Sequence, residues 1–144
     1  MAVSVALATL LAGCGKVAVD DPTPDAAGAA VCAGVMAALP EQVLDQDRRT
    51  VEPGVYSAAW GKPAIVLRCG VAAPPTLTRE SECLQIDAVG WYAEDATGGK
   101  IFTTIGRATF VEVSVPSGYA LGTGALVDVG DAVTAHDPLV TPCA

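Results

Sequence analysis

One histidine, His136, is all that the 144-residue chain contains, so chemistry that needs imidazole has a single position to use. Cations are scarce as well: 8 Lys and Arg stand against 16 Asp and Glu, a formal net charge of −8. That balance excludes nucleic-acid binding driven by counterion release, which needs a basic surface. It also sets the protein as a whole against anionic lipid headgroups. Cys-x-x-Cys pairs are absent, so no zinc site, other metal or cofactor is expected. The Gly-rich stretch 118–124 lacks the Lys and the strand–helix setting of a phosphate loop.

Among what is present, the apolar run from Ala2 to Ala12 stands out because it ends in Leu11-Ala12-Gly13-Cys14. The run is too short to span a bilayer as a folded helix. Small residues before a cysteine suit the narrow pocket of a signal peptidase. Residues 1–13 are therefore read as a lipoprotein signal peptide, and Cys14 as the lipid-bearing first residue of the mature chain. Met1 to Gly13 has no Lys or Arg, whereas secretory signals open on a basic segment; the true start is expected further upstream. Residues 14–27 follow with Asp20, Asp21, Pro22, Pro24 and Asp25 and little to bury. Such a stretch cannot offset its ordering entropy and is expected to be a flexible tether. Residues 28–144 are expected to form one domain.

With Cys14 assigned to lipid, Cys32, Cys69, Cys83 and Cys143 remain. An even number outside the cytosol implies two disulfides with three possible connectivities. The expected pairs are Cys69–Cys83, across the loop carrying Pro74-Pro75, and Cys32–Cys143, tying the first helix to the C-terminal end.

Helical spacing of Val31, Val35, Ala38 and Leu39 predicts a helix over Ala26 to Leu39, capped by Asp25 and stopped by Pro40. Glu41 to Pro53 is polar and reads as a short helix or loop. Strands are predicted over Tyr56 to Trp60, over Ala64 to Val71 and over Glu82 to Tyr92, the last with a bulge at Gly90. Lys100 to Ile105 and Ala108 to Val115 read as a hairpin closed by Gly106-Arg107 in a type II′ turn. A closing helix is predicted from Gly124 to His136. The expected fold class is α+β: an antiparallel sheet of four to five strands, an N-terminal and a C-terminal helix packed on it, and two disulfides.

Several segments resemble a known family. Ser57-Ala58-Ala59-Trp60-Gly61-Lys62-Pro63-Ala64-Ile65-Val66-Leu67-Arg68-Cys69-Gly70-Val71, then Gly90-Trp91, Phe102-Thr103-Thr104-Ile105-Gly106-Arg107 and Val111-Glu112-Val113-Ser114-Val115-Pro116, are similar to the domain-of-unknown-function family 3515, small actinobacterial exported proteins. The likeness runs from about Cys32 to His136. It implies export, frequent lipidation and paired Cys69 and Cys83, and it implies no reaction, ligand or catalytic residue.

Two candidate sites emerge from the residues themselves. Arg68 and Arg107 lie in or beside apolar strands, with Trp60 and Trp91 near equivalent loops; on one sheet face they would form an anion or sugar site. The plainer alternative pairs Arg68 with Glu112 or Asp87 across the sheet and leaves Arg107 in an exposed turn. His136 beside Asp137 would be the base of a small envelope hydrolase, although adjacent residues rarely make that geometry and a solvated helix end is the simpler assignment. The expected function is therefore a non-catalytic binding or interaction module, lipid-anchored to the outer leaflet of the cytoplasmic membrane, with an envelope protein or a cell-wall component as partner.

Overall fold

A computed structural model describes residues 15–120 and 122–143; residues 1–13, expected as a signal peptide, and Cys14 lie outside the described residues. Helix α1 spans Ala26–Ala38 after a short strand β1, Val17–Ala18. Alanine favours the helix, the Asp25 carboxylate caps it by accepting from Gly28 N–H at 2.8 Å, and Pro40 lies just beyond its end. Four strands follow in quick succession: β2 Gln42–Val43, β3 Gln46–Arg49, β4 Val51–Glu52 and β5 Ser57–Trp60. Then come β6 Ile65–Cys69, β7 Leu84–Ile86, β8 Val89–Ala96, β9 Gly99–Ile105 and β10 Val111–Pro116, before helix α2, Thr123–His136.

Eight of these strands form one antiparallel sheet in the order β2-β3-β5-β6-β10-β9-β8-β7. The α+β class is as expected, but the sheet is wider than four to five strands. The additional strands are two to four residues long, and β2 and β3 lie in the polar stretch expected as helix or loop. Runs that short carry no periodicity to read. Their pairing comes from the neighbour: Arg48 and Arg49 lie opposite Trp60 and Ala59 of β5.

Alternation sorts the sheet into two faces. Ile65, Leu67 and Cys69 of β6, Val111, Val113 and Val115 of β10, Phe102 of β9 and Trp91 of β8 are buried on one face. They form a single core with Cys32 and Val35 of α1 and Leu126, Val129 and Val133 of α2. Both helices therefore cover that face. The other face carries a register row running Ser57, Arg68, Glu112, Thr103, Tyr92.

Three local expectations are corrected. Glu82 to Tyr92 is a hairpin rather than one strand, with Ile86 opposite Val89 and Asp87 at positive φ in the turn. Gly90 is no bulge; a Cβ there would lie 2.5 Å from Cys143 Sγ and 2.7 Å from Cys83 Sγ, so glycine leaves room for the bridge. The β9–β10 hairpin pairs Thr103 with Glu112, which places the register two residues away from a Gly106-Arg107 two-residue turn. Residues 106–110 form a wider connection, and Thr104 Oγ1 accepts from Val111 N–H at 2.9 Å within it.

Disulfide connectivity is also corrected: Cys32 bonds Cys69, and Cys83 bonds Cys143. Cys69 faces the helical side of the sheet, where α1 presents Cys32. Residues 70–83 then travel from the end of β6 to the far edge of the sheet at β7, so Cys69 and Cys83 are carried apart.

The stretch expected as a flexible tether is docked. Val17 N–H donates to Thr50 O at 2.9 Å and Val19 N–H to Glu52 O at 3.2 Å, making a parallel pair of β1 with β4. The Asp21 carboxylate accepts from Val55 N–H at 2.7 Å, Tyr56 N–H at 3.0 Å and the Ser57 hydroxyl. Partners supplied by the domain offset the ordering entropy that the segment could not meet alone.

Candidate functional site

The helix-free face of the sheet is partly roofed by two segments. Asp20–Asp25 crosses near β5 and β6, where Asp20 O accepts from Arg68 Nη1 at 3.2 Å. The connection after β6 crosses towards β8, where the Thr76 hydroxyl meets the Glu94 carboxylate. Between them and the start of α1 lies a groove of about 780 Å³. Apolar groups, among them Val31, Pro24, Pro74, Ile101 and Phe110, line part of it. Asp20, Asp21, Asp25, Glu94 and Glu112 bring five carboxylates to it, against the single guanidinium of Arg68.

Most of these charges are already engaged. Arg68 faces Glu112 directly across β6 and β10, with Nε and Nη2 at 2.9 and 2.8 Å from Oε1; the cross-strand pair considered as the plainer reading is the one formed. Glu94 holds Thr76, Asp25 caps α1, and Asp21 clasps β5. Burial works to raise the Asp21 pKa, but hydrogen bonds from Ser57, Tyr56, Val55 and Gly54 outweigh it and leave the group below its ordinary value. Asp20 is exposed at the groove edge. Apolar walls beside acidic side chains suit a ligand with cationic groups on an apolar frame.

The proposed gathering of Arg68, Arg107, Trp60 and Trp91 does not occur. Trp60 and Trp91 are fully buried on the helical face, opposite Arg68. Trp60 donates its indole N–H to Pro40 O at 3.0 Å and lies under the Arg48 guanidinium, 5.8 Å from its ring centroid. Arg107 neither faces the groove nor stands free in a turn. Its Nη1 donates to Asp137 O at 2.6 Å and its Nη2 to Ala88 O at 2.7 Å, tying the C-terminal segment to the β7–β8 turn. Aromatic bulk near a loop signalled core here, because alternation on β5 and β8 carries both indoles inward.

His136 and Asp137 do not form a base and its orienting carboxylate. Asp137 is buried and accepts from Thr109 N–H at 3.1 Å. Burial raises its pKa, opposed by Thr109, Arg107 and Ala108. The exposed His136 lies against Gly34 of α1, where a Cβ would come within 2.7 Å of its Nδ1. No cluster of three or more His, Cys, Asp or Glu suited to a metal is present among the described residues. Asp20, Asp21 and Phe110 escaped the sequence reading. Nothing local marks Asp21 as a clasp, since its partners lie 34 to 36 residues away.

Fold and groove together define a disulfide-braced α+β domain with helices on one sheet face and a half-roofed groove on the other. The chain belongs to a family described as a protein of unknown function (DUF3515), whose model matches residues 1–141. No curated protein and no solved structure matches it at a significant level.

Proposed function

We propose that this protein is a lipid-anchored cell-envelope binding module, attached through Cys14, that holds an envelope partner in the groove above the helix-free sheet face. The groove carries the reading: about 780 Å³ of partly apolar space, with an acidic rim and walls from three separate parts of the chain. Two disulfides fit an oxidising compartment outside the cytoplasm. Among the described residues no helix is long and apolar enough to cross a membrane, and the lipid on Cys14 would supply attachment in its place.

Two measurements test this reading. Cys14→Ala should move the protein from the membrane fraction to the medium; unchanged fractionation would reject the anchor. A photo-crosslinking phenylalanine analogue at Phe110 should capture discrete partners in intact cells, identified by mass spectrometry. The same probe at exposed Val127 of α2 serves as the control. Identical products from both positions would reject the groove as the binding surface.

A further inference from the structure

We infer that the groove takes an extended peptide segment of the envelope partner, one that carries two Lys or Arg side chains four residues apart. The inference rests on the groove reading proposed above and names the chemistry of its occupant.

Nothing close by offsets the charge at the groove. Its five carboxylates stand against Arg68 alone, a formal balance of −4. Arg68 is itself engaged by Glu112 and by Asp20 O. Lys100 of β9 is paired with Asp95, and Arg79, in the connection after β6, stands beside Glu80 and Glu82. Asp25, Glu94 and Glu112 each engage one carboxylate oxygen, with Gly28, Thr76 and Arg68 respectively, and the second oxygen takes no part in the fold. A further group on this side is unsatisfied. Thr103, between Glu112 and Tyr92 on the helix-free face, is fully buried, and its hydroxyl has no hydrogen-bond partner among the described residues. Buried hydroxyls ordinarily have one, so unused polar capacity lies on the groove side of the sheet.

The spacing selects a peptide over a small amine. Glu94 lies on β8 and Glu112 on β10, two strands and one register row apart. Two steps of about 4.8 Å across the sheet and two residues of about 3.4 Å along it separate their backbones by about 12 Å. Ile101 and Phe110, both half-buried, line the same groove. An extended chain rises about 3.3 Å per residue and turns alternate side chains the same way, so its first and fifth residues lie about 13 Å apart on one side. Two cations so placed reach Glu94 and Glu112, and the residues between them meet the apolar groups. A lone amine would satisfy one carboxylate and leave those groups uncovered.

Mapping the crosslinks formed at Phe110 tests the occupant. The photo-crosslinking residue is placed at Phe110 of the lipidated full chain in intact cells, and the captured segment is sequenced. It should carry Lys or Arg at two positions four residues apart, beside the point of attachment. Asp20→Asn with Glu94→Gln, which removes two of the charges, should lower the captured yield several-fold. Asp131→Asn, on the exposed side of α2, should leave it unchanged. Captured segments without the cation pair, attachment to a glycan or a small amine, or a yield indifferent to the double substitution overturns the peptide and leaves the groove as the binding surface. Products identical to those from Val127 remove the groove reading, and the peptide with it.

Discussion

Asp21 shows how much one side chain can decide. It closes the N-terminal segment onto the start of β5 through two backbone amides and a hydroxyl. Asp21→Asn removes the charge that strengthens those bonds and should cost about 1.5 kcal/mol at neutral pH. Because the folded-state pKa lies below the ordinary 3.8, Asp21 contributes its full stability above that value. The contribution fades as the pH falls through the folded-state pKa. The difference in denaturation midpoint between the parent and Asp21→Asn should therefore shrink in acid; a gap that stays constant with pH would refute the clasp. Asp137 works in the opposite sense. Its pKa is raised by burial, so its ionised form costs stability as the pH rises through that value.

At the scale of elements, α1 is held twice, by apolar packing of Val35 and by Cys32–Cys69 to β6. The bridge closes a loop spanning 37 residues, for which chain-entropy arguments give about 4 kcal/mol. Replacing Cys32 and Cys69 together by Ser should lower unfolding stability by about that amount, measured in guanidinium, while Cys83–Cys143 remains intact in peptide mapping. Stability unchanged, or Cys69 found joined to Cys83 in the parent, would contradict this arrangement. Both helices and the strands β5, β6, β9 and β10 were legible in the sequence, because Asp25 and Pro40 bound α1 locally and β6 and β10 alternate buried with part-buried residues. β2 and β3 were not, since the pairing that defines them comes from a partner strand rather than from their own residues. The four-residue Arg68, Arg107, Trp60 and Trp91 site failed for a related reason. Sequence proximity to a loop does not state which face of a strand a side chain takes, and one residue of offset reverses it.

For the molecule as a whole, the two disulfides are expected to supply much of the net stability. A second bridge, over a separation of 60 residues, adds another contribution of about 4 kcal/mol. Together they approach the whole net stability of about 5–15 kcal/mol typical of a domain. The domain should lose its native near-ultraviolet circular dichroism in strong reductant at neutral pH and regain it on reoxidation. A reduced form that kept its native spectrum would show that the core suffices alone. This dependence fits the proposed place outside the cytoplasm, where thiols are oxidised.

The residues in order determined the α+β class, the two helices with the Asp25 cap of the first, the alternation of β6 and β10 and the family resemblance. Each of these rests on signals a few residues long or on composition. Tertiary structure alone decided which cysteines pair, that residues 15–25 dock, and that Arg68 joins Glu112 while both tryptophans enter the core. It also placed five carboxylates around one groove. These outcomes depend on strand order and on which face each strand turns inward, and both are settled only when the sheet closes and the helices cover one side of it.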